Sequence, residues 1–229
     1  MKIHDISIWR CGMKPRKFVI LSLTLLFLVS LSGCYDSSWS FDFKGATSDD
    51  LSDFVQLPLY FALDLFDTNP SLAGLVLNNV AVYGPFSFQG DLKLTLKFDL
   101  SVDEDFTADI AVALSSSASF APVNQVKVEL FGLGSVDASE FNVYDTGDTS
   151  GSDKTNLVPT SKPRINISGG NTLEMIKSGN SYTIKLNGSK IADFTAANCS
   201  SAAPLLPGFG SYLTGGQVTF TSIRVDYNK

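Results

Sequence analysis

Histidine is nearly absent from this chain of 229 residues, since the only one is His4. It is followed by the basic residues Lys14, Arg16 and Lys17 and by an apolar run at 18–31, the pattern of a secretory leader. Without that leader the chain has no histidine at all. This excludes serine or cysteine catalysis by a histidine base and removes the most common metal ligand.

Cysteine and positive charge are also scarce. Cys11 lies in the leader and Cys34 directly follows it, which leaves Cys199 without a disulfide partner if Cys34 is modified, and without a base to activate it. We expect Cys199 to be a partly buried small residue. Beyond residue 33 there are 12 basic against 22 acidic residues, a net charge of −10. A chain so acidic is a poor partner for nucleic acid or anionic lipid.

The leader ends in Leu31-Ser32-Gly33-Cys34, after an apolar run shorter than the roughly 20 residues that span a bilayer. This ending resembles the lipoprotein box of bacteria. The resemblance implies that residues 1–33 are removed, that Cys34 is diacylated, and that the acyl chains anchor the protein to a membrane. A plain signal peptide, or a membrane anchor with a chance cysteine, is the alternative. Met13 is a more natural start for such a leader than Met1.

Tyr35, rather than Asp, follows Cys34, which resembles lipoproteins that are not retained in the inner membrane. We therefore expect a lipid anchor outside the cytoplasm, at the outer membrane or the cell surface. Residues 34–38 form the lipidated cysteine and a short tether. Residues 39–229 have a length that suits one all-β domain.

Period-two alternation of apolar and polar residues predicts β-strands through most of this domain. The alternation is clearest at 91–100. Residues 108–114 repeat it, but alanines take the place of polar residues on the outer face of the strand, so we expect that face to be covered. The acidic run Asp103-Glu104-Asp105 between them is interpreted as a turn. Further strands are predicted at 39–43, 125–130, 164–168, 172–177, 181–186, 190–195 and 217–227.

Local signals define the connections between these strands. Asn187-Gly188 is the pair that a type I′ hairpin turn requires, and a one-residue phase change in the last strand predicts a β-bulge. Residues 51–77 fit either a buried strand or a short helix or irregular segment, with the helix or irregular segment slightly favoured. Residues 145–163 are expected to form a long polar loop.

Many short strands joined by turns make a sandwich or a barrel. The hairpin at 173–188, with Gly179-Asn180 and Asn187-Gly188 at its turns, resembles concanavalin A-like domains, and so does the ending from Gly208-Phe209-Gly210-Ser211 to Val225. Laminin-G-like modules and jelly-roll domains related to 3-keto-disaccharide hydrolases end similarly. The resemblance covers 86–229 and implies an all-β, concanavalin A-like antiparallel jelly-roll sandwich. Lectins, glycosidases and adhesion modules share this architecture.

Glucanases of this superfamily carry Glu-x-Asp-x-x-Glu or Glu-x-Asp-x-Glu on one strand, because retaining hydrolysis needs two carboxyl groups about 5–5.5 Å apart. This chain has no such spacing. We therefore expect that the protein is not an enzyme. A saccharide-active enzyme would need carboxylates from separate strands, with a raised pKa on one of them.

The function expected from the resemblance is non-catalytic binding of a carbohydrate or envelope polymer. Such sites use exposed aromatic side chains, and the candidates are Tyr144 beside the acidic loop and Tyr212 in a glycine-rich turn, assisted by Asn198. The alternative is a structural or adhesion lipoprotein that binds a protein partner. That function would need an exposed apolar face, for which 108–114 is the candidate.

Calcium is the only cofactor that the sequence suggests. Asp145, Asp148 and Asp153 lie in the polar loop, and oxygen-rich loops bind calcium. Their order does not fit the EF-hand template. Solvated loop acids without a metal are the alternative.

Overall fold

The computed structural model describes residues 35–58, 67–118, 124–133, 140–146, 152–157, 165–199 and 202–228. These residues form β-strands and no helix, which confirms the all-β class. None of them forms a helix that is long and apolar enough to cross a membrane. The strands are β1 (Ser37–Asp42), β2 (Val55–Pro58), β3 (Asp67–Pro70), β4 (Leu75–Asn78), β5 (Val80–Tyr83), β6 (Leu92–Ser115), β7 (Gln125–Leu133), β8 (Glu140–Thr146), β9 (Ser152–Leu157), β10 (Ser168–Ser178), β11 (Ser181–Leu186), β12 (Ser189–Thr195) and β13 (Leu206–Tyr227).

Two long antiparallel strands, β6 and β13, run through both layers of the fold. Residues 92–102 of β6 and 216–227 of β13 belong to the first sheet, in the order β12-β11-β10-β6-β13-β1. Residues 107–115 and 206–214 belong to the second sheet, in the order β9-β8-β7-β6-β13-β5-β2. β4 pairs with β13, and β3 pairs with β4. Every pairing is antiparallel, as the jelly-roll prediction requires.

The predicted turn at 103–105 is wrong, because β6 continues through it as a single strand. β13 pairs with β6 from Tyr227 opposite Leu92 to Gly216 opposite Val102, and again from Thr214 opposite Thr107 to Leu206 opposite Ser115. The acidic run lies between these two paired segments. Register shifts in β13 at Thr214/Gly216 and Phe220/Ser222 interrupt the ladder, and the second of them is the predicted bulge. The segment around Gly208, predicted as a turn, also belongs to β13.

A single core lies between the two sheets. Leu94, Leu96 and Phe98 face it from the first half of β6, and Ile110 and Val112 face it from the second half. Phe209 on the second sheet lies 4.8 Å, ring centre to ring centre, from Phe220 on the first sheet. Each fully buried side chain of this size contributes about 1.5–3 kcal/mol relative to exposure, so the alternation seen in the sequence holds the sheets together.

Hairpin chemistry was predicted well. Asn187 and Gly188 both have positive φ, at 51° and 81°, as a type I′ turn between β11 and β12 requires. The strands predicted at 172–177, 181–186 and 190–195 are confirmed as parts of β10, β11 and β12.

Other boundaries were predicted less well. Of the strand predicted at 164–168, the structure describes residues 165–168, and among these only Ser168 is in a strand, since β10 begins there. The polar loop predicted at 145–163 contains the end of β8 and all of β9, which pair with each other. In 51–77 the described residues form β2, β3 and β4 rather than a helix, because β2 pairs with β5 and β4 pairs with β13. Residues 1–34, with the leader and Cys34, lie outside the described residues.

Candidate functional site

The outer face of the second sheet carries an unusual set of side chains. Register partners share a face of a sheet, so Ala111 and Ala113 on β6 lie beside Glu129 and Lys127 on β7, and these lie beside Asn142 and Tyr144 on β8. On the other side, Gly208 and Gly210 on β13 lie between the two alanines and β5. We call this surface the polar face. Its members are Tyr83, Asp109, Ala111, Ala113, Gln125, Lys127, Glu129, Asn142, Tyr144, Gly208, Gly210 and Tyr212.

The middle of the polar face consists of small residues. Ala111, Ala113, Gly208 and Gly210 lie on the two central strands, and larger side chains flank them on both sides. The alanines are buried, as expected for a covered face, and so they offer no exposed apolar surface to a protein partner. The adhesion alternative therefore loses the feature that suggested it.

Tyr83 forms one flank of these small residues. Its ring lies on Gly208, since a Cβ built there would come within 2.6 Å of the Tyr83 Cε1 atom. Its hydroxyl accepts a hydrogen bond from Gln125 Nε2 at 3.1 Å, across the two central strands. Burial raises the pKa of Tyr83, which the hydrogen bond from Gln125 partly offsets. Tyr83 is thus fixed in position and neutral at physiological pH.

Glu129 is the centre of the opposite flank. Its carboxylate lies 2.5 Å from Lys127 Nζ and accepts a hydrogen bond from the Tyr144 hydroxyl. Lys127 Nζ in turn lies 4.3 Å from the centre of the Tyr144 ring, in a cation–π contact. Glu129 is only 4% exposed, so this pair is largely removed from water.

A second carboxylate, Asp109, lies on the adjacent strand β6 and is 1% exposed. The pKa of Tyr144 is raised. Burial is the largest cause, followed by the charge of Glu129, the hydrogen bond with Glu129 and the charge of Asp109. Both carboxylates therefore act on the same hydroxyl group. Asp109 and Glu129 are thus acidic residues on two adjacent strands of the same face.

Asn142 adds an unsatisfied acceptor to the polar face. Its Oδ1 atom is buried and accepts no hydrogen bond from the described residues. A buried polar atom without a partner costs about 1–3 kcal/mol. A ligand that donates a hydrogen bond to this atom would recover that free energy.

The structure places two of the three predicted ligand-binding residues on this face. Tyr144 is part of the Glu129 cluster, and Tyr212 lies on β13 opposite Asp109. Asn198 is elsewhere, in the turn after β12, where its backbone N–H donates to Asp145 Oδ2 at 2.8 Å. Its side-chain amide donates to the Asp145 carbonyl oxygen, so Asn198 holds this turn against β8.

Asp145 is the described member of the predicted calcium site. Its carboxylate accepts hydrogen bonds from the backbone N–H groups of Ala197, Asn198 and Cys199. Asp148 lies outside the described residues, and the side chain of Asp153 does too, although its backbone pairs with Asp145. Among the described residues no three His, Cys, Asp or Glu side chains are placed to hold a metal ion. The calcium site stays a prediction.

Sequence reasoning missed Glu129, Asp109, Asn142 and Gln125. In the alternating pattern of β7, Lys127 and Glu129 are the ordinary outward residues of a half-buried strand. The signal that could have found them is the row of alanines on β6, because small residues on one strand leave room for functional groups on its neighbours.

No protein-family model matches this chain, and no curated protein matches it either. Solved structures do match. The carbohydrate recognition domain of Emp46p is similar at a TM-score of 0.59 and 8% identity, over 82% of this chain and 95% of that one. Crh5 transglycosylase is similar at 0.55 and 13%, over 84% and 85%. A glycoside hydrolase family 16 endo-glucanase from Bacteroides ovatus is similar at 0.53 and 12%, over 82% and 98%.

These similarities confirm the concanavalin A-like jelly-roll fold. They contradict the prediction that the protein is not an enzyme, because two of the three structures are a transglycosylase and an endo-glucanase. The prediction was based on the missing motif within one strand, although carboxylates from separate strands were recognised as the alternative route to an enzyme. The likeness to laminin-G-like and 3-keto-disaccharide hydrolase-related domains stays a prediction.

Proposed function

We propose that this protein is a lipid-anchored extracytoplasmic protein that binds a glycan on the polar face. The observation that carries this function is the burial of polar side chains on the face of the second sheet that points away from the core, with Glu129 and Asn142 as its centre. Sugar hydroxyl groups both donate and accept hydrogen bonds, so they match carboxylate, amide and phenol groups. The similarity to a carbohydrate recognition domain, and to Crh5 in complex with NAG, supports the same class of ligand.

A glycan array tests this proposal with matched variants on the two sheets. Glu129→Gln removes the charge at the centre of the polar face, and Glu174→Gln makes the same change on the outer face of the first sheet. We expect binding to fall at least about tenfold in Glu129→Gln, about 1.4 kcal/mol, and to stay unchanged in Glu174→Gln. Equal binding by both variants, or an array without any bound glycan, would contradict the proposal.

A saccharide-active enzyme is the second candidate, and Asp109 with Glu129 favours it. Cleavage of a glycosidic bond needs one carboxyl group as proton donor and another as base or nucleophile. Asp109 on β6 pairs with Phe131 on β7, and Glu129 on β7 pairs with Ala111 on β6. The two acidic residues are therefore diagonal neighbours on adjacent strands, two positions apart.

The catalytic candidate is tested by the release of reducing ends from laminarin, cello-oligosaccharides and chito-oligosaccharides. We expect Asp109→Asn and Glu129→Gln each to lower turnover at least about a hundredfold, an amount typical of losing acid–base catalysis. Glu174→Gln is the control for both. Turnover that persists in both variants would exclude this pair.

The lipid anchor is the remaining part of the proposal, and it is supported by the ending Leu31-Ser32-Gly33-Cys34 and by the apolar run before it. Detergent phase partitioning of the full-length protein tests it. The protein should enter the detergent phase, and Cys34→Ser should shift it to the aqueous phase because the acylation site is lost. A Cys34→Ser protein that stays in the detergent phase would show a different anchor.

A further inference from the structure

The chain enters the domain without a free linker. Tyr35 directly follows Cys34 and is half-buried, and β1 begins two residues later at Ser37. Ser37 pairs with Tyr227, and Tyr227 pairs with Leu92, so Tyr35 precedes the end of the sheet where β6 starts and β13 ends. Burial, followed by the charges of Asp91 and Asp226, raises the pKa of Tyr35. The proposed acylation site at residue 34 is thus one peptide bond from a half-buried residue of the domain.

The same end of the sandwich presents an exposed aromatic side chain. Phe86, in the connection from β5 to β6, is 52% exposed. Its ring lies 6.1 Å from the ring of Trp39 on β1, in a T-shaped contact, and Trp39 lies 6.0 Å from Phe88. Phe88 packs on Tyr227 at 4.9 Å. We call this set, with Tyr35, the aromatic end.

We propose that the aromatic end rests on the membrane, with Phe86 in the lipid interface. This inference relies on the lipid anchor of the proposed function, and it adds an orientation to it. Acyl chains on Cys34 would place their attachment point in the headgroup layer, and the short connection to Tyr35 leaves no length to hold the domain away. Tyr35 and Trp39 suit that layer because each combines an apolar ring with a polar group, and Phe86 adds exposed apolar surface that the interface would bury.

The position of Leu72 supplies a matched control. Leu72 is 91% exposed in the connection from β3 to β4, and it is beside Ser71, which bonds to Gly45 just beyond the far end of β1. Six residues of β1 separate the two ends, a distance of about 20 Å. Leu72 is therefore an exposed apolar side chain that should not reach the bilayer.

Quenching of Trp39 fluorescence by brominated lipid tests the orientation. The chain has two tryptophans, so Trp9→Phe makes Trp39 the only one even if the leader is retained. The full-length lipidated protein is reconstituted into phosphatidylcholine vesicles with ordinary or brominated acyl chains. We expect brominated chains to quench Trp39, with at least about half of that quenching lost in Phe86→Ser and none lost in Leu72→Ser.

The outcomes separate the two proposals. A protein that floats with the vesicles but emits equally in both lipids keeps the anchor and overturns the orientation. Equal quenching in Phe86→Ser and Leu72→Ser overturns the role of Phe86. A protein that does not float with the vesicles at all overturns the anchor, and the orientation with it.

Discussion

The outer faces of the two sheets share one sequence pattern, but the glutamate on the second sheet is more deeply buried: the side chain of Glu129 is 6% exposed and that of Glu174 is 21% exposed. On the first sheet, Lys93 Nζ lies 3.7 Å from Glu174 and 3.6 Å from Asp226, and all three side chains contact water. On the second sheet, Glu129 and Lys127 form a closer pair, and Glu129 is almost completely buried. Strand alternation therefore does not distinguish an ordinary solvated surface from the polar face.

A gain in folding stability does not explain why Glu129 is more deeply buried than Glu174. Exposed ion pairs such as those of Lys93 contribute about 0–1 kcal/mol. A buried pair also gains little, because the cost of removing its charges from water offsets their attraction. Buried polar groups that do not stabilise the fold are typical of binding and catalytic sites. The comparison thus indicates that the polar face serves a ligand.

The largest effect is expected at the glycine under Tyr83. In Gly208→Ala the new methyl group would collide with the Tyr83 ring, and overpacking of this kind costs about 1–3 kcal/mol. Gly170→Ala on β10 is the first-sheet control, since a Cβ there meets only Asp99 Oδ1 at 3.4 Å. Urea unfolding measures both variants. A Gly208→Ala protein as stable as Gly170→Ala would show that Tyr83 is not held against β13.

A smaller effect on stability is expected from the matched glutamates. Glu129→Gln weakens a buried ion pair and a hydrogen bond, so we expect it to lose about 1–2 kcal/mol of unfolding free energy. Glu174→Gln should change it by less than about 0.5 kcal/mol, because the side chain contacts solvent. Thermal and urea denaturation measure the difference. Equal losses would remove the contrast between the two faces.

The smallest effect is expected from Tyr144 at high pH. Its pKa is raised in the folded protein, so the folded state keeps a proton that the unfolded state loses above about pH 10. Stability from this group is complete below pH 10 and falls as the pH rises further, by at most about 1.4 kcal/mol per pH unit.

Tyr144→Phe removes that titration. Between pH 10 and 11 the variant should lose less stability than the parent, by clearly less than about 1 kcal/mol because solvent screens the partly exposed phenol, as measured by urea unfolding at each pH. Tyr35, Tyr83 and Tyr182 also have raised pKa values and contribute equally to both proteins. Parallel losses in parent and variant would show that Tyr144 is in contact with water.

Local signals in the sequence predicted local structure correctly. Asn187-Gly188 predicted its turn because both residues tolerate positive φ, and the phase change before Ser222 predicted the bulge in β13. Both features depend on one or two residues. The all-β class was predicted from the alternation of apolar and polar residues in the strands between such turns.

Features that depend on distant residues were not predicted. Asp103-Glu104-Asp105 looks like a turn locally, but β6 continues through it because β13 pairs with β6 on both sides of it. Tyr212 was predicted in a turn, but it lies within β13, opposite Asp109. Its role in a binding site stays a prediction. Glu129 and Asp109 come together only through the register of β6 with β7, which no pattern within one strand specifies.

The most direct test of the account is to map the bound glycan onto the two faces. Backbone amide chemical shifts would be recorded while the glycan found on the array is added to the protein. The account predicts that the largest changes occur at Lys127, Glu129, Asn142 and Tyr144 on β7 and β8. Changes centred on Lys93, Glu174 and Asp226, with the polar face unaffected, would contradict it.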